Sequence, residues 1–359
     1  MMFEKAIEIL SILNNNGYEA YIVGGYVRDK ILNLENKDID IITSATPKVV
    51  CNIFNVDIND NFGSLKLKYN DYEFDITTFR KEFDYHNNRW PDKIEYVLSL
   101  KEDLKRRDFT FNSICIDKEG NYIDLYNGID DLKNRVIRTI GNSDNKIKED
   151  SLRILRAIRF SAVYNLKIDK ELSNSIIKYG YLINNLSFDR IKNELDIVFS
   201  TNNVANFFKL IDYFDLYKNL EISLKNDVIS TNNYLSIWAQ INYSSKYNFS
   251  NFEKKYINEL RNILKEGINN YTVYKYNFAV LNEANKILLN NVDIEKIYNN
   301  LIIKSRKDID ITYEEMINIT KDKSKINSIY VDLEKQILYN KLKNEKKYII
   351  SYLKGDNNE

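Results

Sequence analysis

One histidine, two cysteines, two prolines and ten glycines among 359 residues leave several chemistries without the side chains they need. With His86 alone, the chain cannot build an HExxH zinc protease, a histidine-rich metal phosphohydrolase site or a multi-histidine cage. Cys51 and Cys115 cannot complete a structural zinc site and are too few for a disulfide framework; they read as reduced thiols of a cytoplasmic protein. Net charge is absent too, 52 basic residues facing 52 acidic ones, which excludes a uniformly polycationic nucleic-acid coat. Any phosphate-binding surface has to come from local segregation of charge. No run of 18 apolar residues occurs, and Glu4, Lys5 and Glu8 interrupt the N-terminus, so neither a membrane span nor a secretory segment is expected. What is there is a 44% hydrophobic, 29% charged chain, able to bury a core. Its length suits about two or three domains.

Residues 1–140 alternate between short strand-like and helix-like patterns. Phe3, Ala6, Ile7, Leu10 and Leu13 recur at helical spacing, and Gly17 suits the left-handed position that ends such a helix. A strand over 19–23 runs into Gly24-Gly25 and a short helix, and Asp38-Ile39-Asp40-Ile41 alternates as a half-buried strand should. Asn70-Asp71 separates strand patterns at 65–69 and 72–79, a hairpin signal. From about 146 the pattern is helical: one long helix is expected over 146–165, with others near 187–199, 203–213, 251–266, 274–289 and 326–353. No proline follows Pro91 to interrupt them. Residues 321–354 hold nine Lys against four acids, a pattern that commonly marks a solvated helix face.

On a strand, Asp38 and Asp40 leave the same face, roughly 6.5–7 Å apart at the backbone. Carboxylates so placed can bridge two divalent cations about 3.5–4 Å apart, one activating an attacking hydroxyl and one neutralising a leaving pyrophosphate. An all-oxygen donor set suits Mg²⁺. Asp75, in Phe74-Asp75-Ile76-Thr77, is the candidate third carboxylate from a neighbouring strand. A DxD pair alone is common in surface turns, and a Gly-Gly pair is commonly just a tight turn. Here they occur together: Val23-Gly24-Gly25-Tyr26-Val27-Arg28-Asp29 precedes the acidic strand by about a dozen residues. Glycines let backbone N–H groups approach a triphosphate, a helix N-terminus favours the anion, and Arg28 adds a phosphate donor.

Residues 149–160 read EDSLRILRAIRF. On one helix Glu149, Asp150 and Arg153 would lie within a turn of each other, and Arg153, Arg156 and Arg159 are the only charges between Leu152 and Val163. Guanidinium groups on so apolar a helix need partners, phosphates or carboxylates. A carboxylate such as Asp150 can accept from the exocyclic amine of cytosine or adenine while Arg153 donates to the adjacent ring acceptor. Guanine and uracil present a carbonyl there and would be repelled. The plain alternative is a Glu149–Arg153 surface ion pair.

Together these stretches carry a family pattern. The chain resembles the bacterial class II tRNA nucleotidyltransferases (CCA-adding enzymes and poly(A) polymerases) of the polymerase-β-like superfamily. The resemblance rests on GGYVRDKIL…KDIDIITSATP at 24–47, DITTFR at 75–80, DLKRRDFTFNSI at 103–114, DLYNGIDDLKNRVIRTIG at 124–141, EDSLRILRAIRF at 149–160 and FDRIKNEL at 188–195. It implies an α+β chain: a mixed-sheet nucleotidyltransferase head (1–140), an α-helical neck that recognises the base (141–200), and an α-helical body and tail that grip tRNA (201–359). It further implies that Asp38 and Asp40 hold metal, with Asp75 as third catalytic carboxylate. By the same resemblance Gly24, Gly25 and Arg28 meet the triphosphate, and Arg106-Arg107-Asp108 reads the ribose. Asp150 and Arg153 are then the base template, Arg156 and Arg159 contact the nucleotide, and 81–93 is a loop linked to the change from CTP to ATP. The expected activity is stepwise addition of C, C and A to the tRNA 3′ end from CTP and ATP with Mg²⁺, releasing pyrophosphate. The expected partners are the tRNA acceptor stem and 3′ end, with no DNA and no membrane. A poly(A) polymerase, a CC- or A-only enzyme and a catalytically silent RNA-binding relative stay as alternatives, and monomer and dimer are equally open. The chain departs from the pattern at Asp75 and Asp189, where Glu is usual, and at Trp90, where Arg is usual.

Overall fold

The computed structural model describes residues 2–56, 63–86 and 90–355, and side chains outside 83–93. These residues divide into two compact units, 1–198 with 203–222, and 199–202 with 223–359.

The first unit opens with helix α1 (Met2–Asn15), whose Ala6, Ile9, Leu10 and Leu13 are buried at the spacing of one helical face. Gly17, at φ +84°, lets the chain turn back after it. Strand β1 (Ala20–Val23) follows, then α2 (Gly25–Ile31), β2 (Asp40–Thr43), α3 (Pro47–Phe54), β3 (Ser64–Tyr69) and β4 (Tyr72–Thr78). β3 and β4 form the expected hairpin, with Asn70 left-handed at φ +53° in its turn. The paired strands β5 (Arg80–His86) and β6 (Trp90–Tyr96) come next, then α4 (Leu100–Lys105), β7 (Cys115–Ile116) and β8 (Tyr122–Ile123). The main sheet has the order β3-β4-β2-β1-β7-β8; it is mixed, because β2 and β4 run parallel while β1 pairs antiparallel with both of its neighbours. Val23, Ile42, Phe79, Leu100, Leu104 and Cys115 pack into one core cluster on this sheet. The segment expected as a loop at 81–93 has its described backbone in the β5–β6 ladder; the side chains of 83–93, Trp90 included, lie outside the described residues.

The rest of the unit is mainly helical: α5 (Gly128–Lys133), β9 (Val136–Ile137), α6 (Ser143–Glu149), α7 (Leu152–Tyr164), β10 (Lys167–Ile168), α8 (Lys170–Tyr179), α9 (Phe188–Phe199), α10 (Val204–Tyr213) and α11 (Tyr217–Leu220). The single helix expected over 146–165 is two helices. Asp150 adopts an extended conformation (φ −145°, ψ 105°) and its carboxylate accepts from the backbone N–H of Leu152 at 3.1 Å, so it ends one helix and starts the next. α7 is anchored by Phe160, edge-on to Phe109 and Phe111.

The second unit contains α12 (Tyr234–Gln240), α13 (Asn251–Glu266), α14 (Asn270–Lys275), α15 (Phe278–Leu288), α16 (Ile294–Asn299), α17 (Tyr313–Thr320), α18 (Ile326–Leu338) and α19 (Lys346–Lys354). Trp238 is fully buried there among Phe199, Tyr243, Tyr247 and Phe249. Arg261 donates to the carbonyls of Trp238, Ala239 and Ile241 at 2.8–3.1 Å, satisfying the end of α12. Two continuous helices expected from periodicity are each divided. Asn277 caps α15 through the N–H of Val280, splitting 274–289, and left-handed Asn340 (φ +58°) lies between α18 and α19 in 326–353. Among the described residues no helix is long and apolar enough to cross a membrane.

Candidate active site

β1 ends at Val23 and hands the chain to Gly24, which sits at φ +82°, ψ −135° as the cap of α2. The positive φ demands glycine, and a Cβ there would lie 3.3 Å from Asp40 Oδ2 and 3.8 Å from an Arg107 nitrogen. The backbone of Gly24 therefore passes directly beside an acid. Gly25 has ordinary φ, and a Cβ on it would make only van der Waals contact with Asn36 and Arg28.

Asp40 is the first residue of β2. It lies in register with Val23 of β1 on one side and Asp75 of β4 on the other, so two carboxylates stand abreast on neighbouring parallel strands. Asp38 lies before the strand, its N–H bonded to Asn36 Oδ1 at 2.9 Å, which shortens the strand expected over 38–41. The alternation itself holds: Ile39 and Ile41 are buried while Asp38 and Asp40 face outward. Although part of its side chain meets solvent, Asp40 has its pKa raised by loss of surrounding water and by the charges of Asp75 and Asp38, with Arg107 opposing them. Lys66 is 3.9 Å from Asp75 but is held mainly by Glu73 at 2.7 Å, so it does not seal the acids. Among the described residues no three His, Cys, Asp or Glu side chains form a ready metal cage. Asp38, Asp40 and Asp75 still offer exposed oxygen donors, which fit a hard divalent cation that keeps water and substrate in its shell.

A cavity of about 500 Å³ opens next to Asp40. It is lined by Gly24, Gly25, Arg28, Arg107, Asp108, Asp150, Arg153, Arg156 and Arg159 of the residues singled out in the sequence, and also by Asn112, Phe160 and Arg190. Asp38 and Asp75 stand outside the lining, in electrostatic contact with Asp40. Arg28 is buried and already engaged. It binds both oxygens of Asp29 (2.7 and 2.9 Å), the Tyr164 hydroxyl (2.7 Å) and Asn112 Oδ1 (3.2 Å). One N–H, on Nη1, is left over for a ligand.

Arg106, which also lines the cavity, donates to Asp103 (3.0 Å) and Glu82 (3.1 Å), while Arg107 lies 3.7 Å from Asp103 with its buried Nε unbonded. Asp108 is buried. Burial alone would raise its pKa, but Arg156, the Asn112 amide and the Phe109 N–H together hold it well below the usual carboxylate range. Its Oδ2 takes Arg156 Nε at 2.7 Å.

Arg153 is also buried, and three of its five N–H donors are engaged: Nη1 with Glu149 (2.7 Å) and the Lys146 carbonyl (2.8 Å), Nη2 with the Arg106 carbonyl (3.0 Å). Asp150, read from the sequence as its neighbour, is instead paired with Arg190 of α9, whose Nη2 donates to both carboxylate oxygens at 3.1 Å. One turn further along α9, Glu194 binds Arg159 at 2.6 Å and lies 3.9 Å from Arg156. Arg190 and Glu194 had a signal in the sequence, opposite charges at i,i+4 in the stretch 188–195, but nothing local said what they would face.

Residues 20–138 match the family described as the poly A polymerase head domain. The chain is 31% identical to the CCA-adding enzyme of Ligilactobacillus salivarius (strain UCC118), over 98% of this chain and 96% of that one. The chain belongs to the CCA-adding enzyme family. It is likewise 30% identical to the CCA-adding enzyme of Staphylococcus haemolyticus (strain JCSC1435), over 98% of each chain. Its fold matches the crystal structure of the Bacillus stearothermophilus CCA-adding enzyme in complex with CTP, with a TM-score of 0.79 at 22% identity over 99% of this chain and 97% of that one. The expected architecture, a mixed-sheet nucleotidyltransferase head followed by helices, is thereby the fold of a CCA-adding enzyme.

Proposed function

We propose that this chain adds C, C and A in turn to the 3′ end of tRNA, taking CTP and ATP and releasing pyrophosphate, in the cytoplasm. The observation that carries this reading is one cavity lined by Asp40, by Asp150 and by Arg28, Arg107, Arg153, Arg156, Arg159 and Arg190 together. The terminal 3′-oxygen of the RNA attacks the α-phosphorus. A P–O bond forms to it, the α–β bridging P–O bond breaks, pyrophosphate departs and the hydroxyl proton passes to water. Asp38 and Asp40, with Asp75 abreast of Asp40, would hold Mg²⁺, which would make a hydroxyl a better nucleophile and offset charge on the pyrophosphate.

The chain's own groups do the positioning. The Gly24-Gly25 backbone and the spare Arg28 donor face the triphosphate, and Arg107 and Asp108 face the ribose. Arg156 and Arg159 lie against Phe160, Arg159 with its guanidinium 4.2 Å from the ring, and present positive charge to the nucleotide. Asp150 accepts from the amino group that cytosine and adenine share, and Arg153 donates to the neighbouring ring acceptor. Residues 141–200 serve as the base-reading neck and 201–359 as the body and tail that hold the acceptor arm, the lysines of 321–354 facing its phosphates.

Incubation with tRNA lacking its 3′ end, one nucleotide at a time, tests the proposal through the sequenced products. C is incorporated twice, then A once, and UTP and GTP are refused. Products carrying only C or only A would assign a partial activity, and long A tracts on unrelated RNA a poly(A) polymerase.

A further inference from the structure

Spacing in the sequence pairs Asp150 with Arg153, whereas the folded chain pairs it with Arg190, forty residues away. The two oxygens of Asp150 are not equally restrained. Oδ1 accepts from the Leu152 N–H at 3.1 Å and from Arg190; Oδ2 has its described hydrogen bond from Arg190 alone. An ionised carboxylate oxygen can accept twice, so Oδ2 keeps a lone pair for an incoming donor, in a direction that Arg190 sets. Three of the Arg153 donors serve Glu149 and two backbone carbonyls, and none of its described hydrogen bonds reaches Asp150. Arg190 has capacity in reserve: its Nη1 is buried and has no hydrogen-bond partner, an arrangement that costs free energy. Arg190 and Asp150 both line the nucleotide cavity.

We infer that Arg190 is a positioning residue for nucleotide selection, holding the Asp150 carboxylate so that it accepts from an amino group and turns away a carbonyl. The inference rests on the base-reading role proposed for Asp150. A carboxylate freed from Arg190 can rotate Oδ2 away from an opposing carbonyl, and the penalty against uracil and guanine falls. A residue that only braced the fold would instead lower the rate for every nucleotide alike.

Three variants, Arg190→Gln, Arg190→Lys and Asp150→Ala, decide the matter in the full-length protein on tRNA lacking its 3′ end. The readouts are kcat/KM for CTP against UTP, the same for ATP against GTP on tRNA ending in CC, and thermal melting. Arg190→Gln lowers both ratios by about tenfold or more, the size of one well-placed base contact. Arg190→Lys, which keeps a charge but not the planar fork, recovers part of them. The ratio is internal to each preparation, so partial misfolding does not imitate it, and Arg190→Lys carries the test if Arg190→Gln is too unstable to assay. Parental ratios in the Arg190 variants, or a uniform loss for all four nucleotides, beside collapsed selection in Asp150→Ala would overturn the role of Arg190 alone. Parental selection in Asp150→Ala would overturn the base-reading assignment and this inference with it.

Discussion

Arg28, Asp103, Asp108, Lys146, Arg153 and Glu194 are buried in the first unit, and Arg28, Asp108 and Arg153 among them line the cavity. The second unit buries Glu283 and Glu334 among its described residues, and its centre is aromatic, with Trp238 inside a shell of Phe and Tyr. Burying a charge is expensive unless a partner waits for it, and apolar replacements of paired ions are often as stable. A region that keeps so many is therefore organised around something other than stability. In the first unit the buried Arg28, Lys146, Arg153 and Lys192 are each held by a carboxylate or carbonyl at 2.7–3.2 Å, which fixes these charges in place. In the second unit Glu334 joins Tyr274 to Arg306 (2.9 and 2.7 Å) and Glu283 meets the Thr231 hydroxyl, contacts that pin helices and loops together.

The sharpest break in this comparison comes from Asp40→Ala. Nucleotide incorporation falls by about a thousandfold or more, the several kcal/mol that a metal carboxylate contributes. Melting stays at or above the parent's, because a carboxylate whose pKa the fold raises opposes folding at neutral pH. Trp238→Ala does the converse. Emptying that site costs about 3–5 kcal/mol of stability, read by denaturant unfolding, while the C-over-U preference of the folded fraction is unchanged.

Asp108→Asn weakens the first unit by about 3 kcal/mol at neutral pH, because it leaves Arg156 with a neutral partner. Here the sign with pH is diagnostic. The native carboxyl titrates well below 3.8, so its contribution is complete above that value and is lost as pH falls through the lower native pKa. Melting curves of parent and variant therefore converge on acidification below about pH 4. The smallest effect is that of Arg261→Lys in the second unit. Three carbonyls lose a forked donor for a single ammonium, costing about 1 kcal/mol and leaving catalysis untouched.

The strands around the acids were legible because period-two alternation survives in Ile39 and Ile41, and the Asn70-Asp71 turn announced its hairpin. The start of β2 was not, because the Asn36 side chain takes the Asp38 N–H and keeps that residue out of the ladder. Helix breaks at Asp150, Asn277 and Asn340 escaped for a related reason. Each depends on a short polar side chain serving a backbone group or on a left-handed residue, while apolar spacing runs on across the break. The arginines of α7 were visible as charges on an apolar helix, but their counter-charges were not. Asp108 lies 48 residues from Arg156, and Glu194 lies 35 from Arg159. A pattern read along a helix finds the residue that needs a partner, and only the fold supplies the partner.

The register of β4 has a consequence for engineering the chain. Phe74 and Ile76 are buried on either side of exposed Asp75, so sliding the strand by one residue would drive the acid into the core and bring two large apolar groups out. The spot that Asp75 occupies is thus dictated from five residues away, by the length of the bend at Asn70. Lengthening that bend by one residue alters no acid, yet it sets the apolar face of the hairpin against the chemistry at its edge.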